Sequence, residues 1–291
     1  MTRAAVIGPR SMLGSAIIRR LKILNVDVVS VGRSLSDDIY MNLGEDPISE
    51  LKAEGHVDTV FHCSSAFFDD SYLGLERNFK VNTLGALQTT FLAQKFGASA
   101  VIYAGSLSSD DSDPQNYTSY GLTKGLAEKT LNWGLEKAGV RFCSLRLSQL
   151  YDTKGLCCAH QPWFGRVIAY AARGLDLRLP QSLGPRNFLH VEDAADLMIA
   201  AGQREMNGIV NVVHPESLTM QQIAETAYAV FGSGGRCKVA SEKTPFRSVN
   251  FSEYDGIFAL HGVGAPRSMR EGIEEIQRAE TFMAFGPMDV E

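Results

Sequence analysis

No apolar run in this sequence reaches the ~18 residues that a membrane-crossing helix needs. The opening stretch, MTRAAVIGPRSMLG, has too short an apolar run for a secretory leader, with glycine, arginine and serine following at once. A basic excess is also missing: 28 Lys and Arg stand against 33 Asp and Glu, a formal charge of −5. Such a chain has little to offer a phosphate backbone, so nucleic acid is not an expected partner. Cysteine is sparse, with five scattered residues, no C-x-x-C pair and no histidine cluster at metal spacing. Neither a disulfide framework nor a bound metal is expected, and a reducing, cytoplasmic compartment fits best. The adjacent Cys157 and Cys158 read as part of a packed loop, because free cysteine behaves as a small hydrophobe. Internal repeats and low-complexity tracts are absent. With 45% hydrophobic and 21% charged residues, the composition is that of a globular protein with a substantial core.

What is present is alternation. Short apolar runs at 4–7, 26–31, 57–63, 100–104 and 140–147 read as strands buried on both faces. Stretches at 12–24, 75–96 and 117–137 have helical spacing. Strands alternating with helices imply an α/β fold: a doubly wound parallel sheet covered on both sides. Beyond Leu150 the pattern loosens. A helix is expected over 164–173, another over 191–203, a strand over 209–213, a helix capped by Ser217 or Thr219 and running to Phe231, and a last short helix near 270–282. The expected division is a large domain of residues 1–151 to which 187–214 return, with 152–186 and 215–291 forming a smaller lobe.

Gly8-Pro-Arg-Ser-Met-Leu-Gly14 follows the first strand and opens the first helix. A helix N-terminus presents unpaired N–H groups to a pyrophosphate, and glycines let backbone approach it. Ser11 stands where a middle glycine is usual and is expected to cap the helix or donate to phosphate. At the end of the second strand, Val29-Ser-Val-Gly32-Arg33-Ser34 has an arginine and no acid. A carboxylate there suits the ribose of NAD, whereas a guanidinium suits the 2′-phosphate of NADP. Arg33, Ser34 and the nearby Arg10 therefore predict NADP(H).

Tyr120 and Lys124 are four residues apart and so share one helix face. A neighbouring ammonium favours the phenolate, which fits the phenol to exchange a proton with a carbonyl or alcohol oxygen. Ser106 ends the preceding strand, where ligands sit in an open parallel sheet. Asn82, on the helix before that strand, is expected near the cofactor, holding the strand end or a water.

The order of these segments resembles the extended short-chain dehydrogenases/reductases, the NAD-dependent epimerase/dehydratase family. The resemblance runs over nearly the whole chain: Gly8–Gly14, Asp58-Thr-Val-Phe-His-Cys-Ser-Ser65, Asn82-Thr-Leu-Gly85, Ser106, Tyr120–Lys124, Leu145-Arg-Leu-Ser-Gln-Leu-Tyr151 and Arg186-Asn-Phe-Leu-His-Val-Glu-Asp-Ala194. Toward the C-terminus, Gly262-Val-Gly264 and Glu271-Gly-Ile273 add to it. It implies a Rossmann-type domain with a substrate lobe, a nucleoside-diphosphate sugar as substrate, and a homodimer. Ser106, Tyr120 and Lys124 carry over as the catalytic set. Within the family, Gly8-x-Arg10-x-Met12-x-Gly14 is most similar to the GDP-fucose-synthase-like reductases, which implies that Arg10 and Met12 lie at an NADP site. By the same resemblance Arg186 and Arg247 face the substrate diphosphate. Trp163 is a candidate to frame the sugar or base. The position of that branch's epimerising cysteine is Ser108 here, a poor acid or base. The expected activity is reduction of a 4-keto, 6-deoxy nucleotide sugar. A 4-epimerase, a reductase of other ketones and a catalytically idle NADP-binding regulator stay open as alternatives.

Overall fold

The computed structural model describes residues 1–112, 117–246, 248, 249, 251 and 253–288. The chain opens with β1 (Arg3–Ile7), α1 (Met12–Ile23), β2 (Asp27–Gly32), β3 (Ile39–Tyr40) and β4 (Thr59–His62). It continues through α2 (Tyr72–Asn78), α3 (Gly85–Lys95), β5 (Ala100–Ser106), α4 (Ser119–Lys137), β6 (Arg141–Leu147), β7 (Gln149–Tyr151) and α5 (Pro162–Ala172). Then come β8 (Leu177–Leu179), β9 (Arg186–His190), α6 (Val191–Gln203), β10 (Gly208–Val212), β11 (Ser217–Leu218) and α7 (Met220–Phe231). The last elements are β12 (Cys237–Val239), α8 (Ile257–Leu260) and α9 (Met269–Arg278).

Contacts divide the chain into two units. The first comprises residues 1–147, 194–212 and 256–264; the second comprises 148–193, 213–255 and 265–291. The division thus falls at Ser148 rather than 151. Residues 187–193 belong to the second unit, and 256–264 return to the first, unlike the boundaries expected from sequence.

The first unit holds a seven-stranded sheet in the order β10-β6-β5-β4-β1-β2-β3. All its pairings are parallel, and β1 lies between β2 and β4. Strand order reverses there, so the β1 and β4 loops face each other at the carboxyl end of the sheet, the usual place for a ligand. The core follows from side-chain spacing. On α1 the buried residues Leu13, Ala16, Ile17 and Leu21 lie on one face. β5 contributes Val101, Ile102 and Tyr103, all fully buried. Each such large side chain contributes roughly 1.5–3 kcal/mol by leaving water. Between α2 and α3, residues Phe79–Leu84 form a π-helical segment. The single helix expected over 75–96 is therefore interrupted by one wider turn.

The second unit carries two small sheets, β11-β9-β7 and β12-β8. An aromatic cluster fills it. Phe164 and Phe188 stack at 5.6 Å, and Tyr151 packs edge-on to His190 at 5.1 Å. No helix among the described residues is long and apolar enough to cross a membrane.

Candidate active site

The first turn is built around two glycines. Gly8 has φ +82°, and a Cβ there would lie 2.9 Å from the Cβ and backbone N of Ser64. The β1 and β4 loops thus meet with no room for a side chain. Gly14 is as tightly placed, since a Cβ on it would stand 2.2 Å from the Gly8 carbonyl oxygen. Ser11 is the N-cap of α1. Its hydroxyl donates to Gly8 O at 2.8 Å and accepts from the Gly14 N–H at 3.0 Å. Ser11 is thus committed to shaping the turn, and Met12 is the first helical residue. A bare backbone cradle ahead of a helix N-terminus fits the pyrophosphate of a dinucleotide.

At the end of β2 the loop brings a further charge to the arginines. A carboxylate is present after all, delivered by Asp37 as the loop folds back. Its Oδ2 accepts the Arg10 guanidinium at 2.6 Å and the Ser34 N–H at 3.0 Å. Arg10 also donates to Ser36 Oγ at 2.8 Å. Arg33 is exposed. Sequence spacing misses Asp37 because its place depends on the loop and not on a strand period.

Ser106, Tyr120 and Lys124 come together at the carboxyl end of β5. Ser106 Oγ accepts the Ser108 N–H at 3.2 Å, and its hydroxyl acts to lower the Tyr120 phenol. Ser65, on the loop after β4, acts on the same phenol in the same direction. Burial raises the phenol above its ordinary range, and these two hydroxyls partly offset that. Phe67 covers the ring edge-on at 4.8 Å.

Lys124 is buried. Its ammonium donates to Ala104 O at 2.6 Å and sits over the Tyr103 ring at 4.0 Å. Burial lowers it to about 7, while the charge of Glu128 pulls it up. The expected lowering of the Tyr120 phenol by Lys124 is not what the structure holds, because the ammonium is turned to the strand end. Two neighbours are inert. His62, held by Thr89 Oγ1 at 2.8 Å and Ser64 O at 3.0 Å, falls to about 3 through burial. The Cys63 thiol is pushed up to about 12 by the same cause.

Asn82 is buried and its amide is spent on protein. It accepts the Ala66 N–H at 2.8 Å and donates to Ala66 O and Thr123 Oγ1, each at 3.0 Å. One turn earlier, Asn78 does the same for Phe68 and Ser119. The pair straps the loop that bears Ser65 and Phe67 to the start of α4. Asn82 therefore holds the loop after β4 to α4. Asn78 falls in no motif, and Ser65 closes the Asp58–Ser65 segment, whose pattern alone assigns it no role.

Ser108 is exposed in a short turn after Ser106. Trp163 and Arg186 lie in the second unit. Trp163 packs edge-on to Phe188 at 5.3 Å and is part of the aromatic cluster. Arg186 opens β9, opposite Leu218. Arg247 lies outside the described residues. No His, Cys, Asp or Glu cluster among the described residues could hold a metal ion.

Known structures share this architecture. UDP-N-acetylglucosamine 4-epimerase from Bacillus cereus superposes with TM-score 0.79 at 21% identity, covering 100% of this chain and 99% of that one. UDP-glucose 4-epimerase from Thermotoga maritima, solved with UDP-glucose, gives 0.74 at 17%, covering 97% and 98%. The Bordetella bronchiseptica enzyme WbmF, in complex with NADH, gives 0.75 at 19%, covering 97% and 93%. At these identities the likeness is one of fold. The sequence itself matches the model of the NAD-dependent epimerase/dehydratase family over residues 4–213. That span takes in the Gly8–Gly14 turn, Ser106, Tyr120 and Lys124, so the chain belongs to the NAD-dependent epimerase/dehydratase family.

Proposed function

We propose that the protein reduces the 4-keto group of a nucleoside-diphosphate 6-deoxyhexose with NADPH. The observation that carries this reading is the placement of Tyr120 and Lys124 one turn apart on α4, with Lys124 on Ala104 O at 2.6 Å, beside Ser106 at the end of β5. A phenol above its ordinary range keeps its proton at neutral pH, which is the form a ketone reduction consumes. When bound, a reduced nicotinamide supplies the hydride. Tyr120 gives its proton to the carbonyl oxygen as charge develops there, and Ser106 donates a hydrogen bond to the same oxygen. Lys124, fixed on Ala104 O at 2.6 Å, orients the ribose of the dinucleotide. Gly8, Ser11, Met12 and Gly14 form the pyrophosphate turn, and Arg10, Arg33 and Ser34 face the 2′-phosphate. Arg186 remains the candidate cation for the substrate diphosphate. The structures of similar fold solved with UDP-sugars or NADH support the substrate and cofactor classes.

A second reading, 4-epimerisation with a retained cofactor, is favoured by Asp37, since an acid beside β2 suits NAD. Purified protein that interconverts sugars without added reductant establishes that reading over reduction. For the reductase, nicotinamide oxidation is followed with a panel of nucleotide 4-keto-6-deoxy sugars. Tyr120→Phe is expected to bind NADPH as the parent does and to lose at least about 100-fold in turnover. A variant retaining more than about a tenth of the rate overturns the assignment.

Self-association is proposed through α3 and α4. Leu84, at the end of the π-helical segment, and Leu87, Leu122 and Trp133 are exposed large apolar side chains along these helices. Light scattering at the mass of a single chain overturns it.

A further inference from the structure

All five cysteines are free thiols, and four of them are quiet. Burial pushes Cys63, Cys143 and Cys237 up to about 12, 11 and 11. Cys157 is buried and is raised too, first by the Cys158 side chain and then by burial. Cys158 is half-buried and is the exception. Its thiolate is favoured, first by the Cys157 side chain, with burial opposing and the Gly286 backbone assisting. The pair sits on a single turn, Leu156–Ala159, which Gly155 enters at φ +78°. Asp152 holds this turn: its Oδ1 accepts the Cys157 N–H at 2.9 Å, and its Oδ2 accepts the Lys154 N–H at 3.0 Å and the Leu156 N–H at 3.3 Å. Residues 281–286 fold back over the turn as a strap. The Thr281 hydroxyl donates to Thr153 O, and the buried Phe285 meets Phe164 at 6.3 Å. Two glycines make room for this strap. A Cβ on Gly155 would lie 2.6 Å from Ala284 O, and one on Gly165 would collide with Gly286 O and lie 2.5 Å from Cys158 Sγ. The Cys158 sulfur thus stands between α5 and the strap, with a second thiol on the adjoining residue.

We infer that Cys157 and Cys158 form a redox-active dithiol, Cys158 attacking a low-molecular-weight disulfide and Cys157 closing the bond, and that closure frees the strap. The Cys158 thiolate attacks one sulfur of a disulfide R–S–S–R; that S–S bond breaks and one R–S⁻ leaves. Cys157 then gives up its proton and attacks Cys158 Sγ, breaking the mixed disulfide and expelling the second R–S⁻. The two cysteine sulfurs lose two electrons, the external disulfide gains them, and the two cysteine protons end on the two thiols released. Backbone geometry makes the product labile. Neighbouring Cα atoms across a trans peptide are about 3.8 Å apart, short of the roughly 4.4–6.8 Å that relaxed disulfides span. The bond forms only as the turn deforms, which draws Cys158 Sγ off Gly165 and loosens the strap. A strained disulfide is readily reduced, so a thiol reductant resets the site. Through Phe285 and Phe164 the release reaches the aromatic cluster of the second unit.

The test is oxidation of the full chain with glutathione disulfide, followed by intact mass and peptide mapping. Cys158 is expected to react at least about tenfold faster than Cys63, Cys143 or Cys237. The product should lack two hydrogens, link Cys157 to Cys158 and carry no glutathione. Cys157→Ser and Cys157→Ala should each stop at a stable mixed disulfide on Cys158, whereas Cys158→Ser should lose the fast reaction. In the parent, amides of residues 281–286 should exchange hydrogen at least about tenfold faster after oxidation, and dithiothreitol should restore them. A Cys158 no more reactive than the other three thiols overturns the inference. So does a glutathione adduct that persists in the parent, a Cys157 variant that yields no such adduct, or an oxidised chain whose strap exchanges as before.

Discussion

Beneath Lys124, one helical turn further along α4, lies an ion pair whose cost and effect are both measurable. Glu128 Oε1 accepts Ser144 Oγ at 2.7 Å and Arg146 Nε at 3.1 Å. Its Oε2 accepts Arg146 Nε at 3.1 Å and Nη2 at 2.7 Å. The side chains are 1% and 18% exposed, so water screens neither charge well. Glu128→Leu leaves the guanidinium without its partner, and Arg146→Met leaves a buried carboxylate; each is expected to cost about 3–5 kcal/mol. The double variant removes both charges and restores apolar contact, so its loss should fall below that of either single change. Urea unfolding followed by circular dichroism gives the three values. A double variant whose loss equals the sum of the singles refutes the reasoning. A second consequence follows for Lys124. Glu128 is the strongest influence holding that ammonium up against burial. Its removal should drive the lysine further below about 7 and move the alkaline side of the rate profile to lower pH.

Two more predictions concern the same half of the site. Lys124 is depressed in the folded protein to about 7 from 10.5, so between these values the unfolded chain binds more protons. Stability should then rise with pH across that window, by at most about 1.4 kcal/mol per pH unit, and Lys124→Met should flatten the rise; denaturation at pH 7 and 9 decides. In the first turn, Gly14→Ala forces a methyl against the Gly8 carbonyl, where a Cβ has only 2.2 Å. The backbone must move, at a cost of about 2 kcal/mol or more, and cofactor affinity should fall at least about tenfold, read by fluorescence titration with NADPH.

Much of this was legible in the residues because the signals are local. The 3.6-residue spacing of Leu13, Ala16, Ile17 and Leu21 marks α1, and α6 begins and ends where its pattern does, at Val191 and Gln203. Tyr120 and Lys124 are readable together because one helix carries both. What escaped depends on chain reversals. Asp37 reaches Arg10 only because a loop returns, and Ser65 reaches Tyr120 only because β4 pairs with β5. The strands of the second unit are mostly two to five residues long, too short to show a period. Their pairing is set by burial around Tyr151, Phe164 and Phe188 rather than by alternation. Trp163 belongs to that packing, and nothing in its flanking residues distinguishes a cluster member from a ligand contact.

The wide turn at Phe79–Leu84 lets one rod answer to two faces at once. In a regular helix each residue advances the azimuth by about 100°. An extra residue per turn resets that phase partway along. Asn78 before the reset and Asn82 within it reach the loop over the phenol; downstream, Ala86, Leu92 and Ala93 press into the sheet. Straightening the helix by a single deletion would gain regular hydrogen bonds yet swing Asn78 away from Phe68. The irregularity is thus what keeps the roof over Tyr120 in register with its floor.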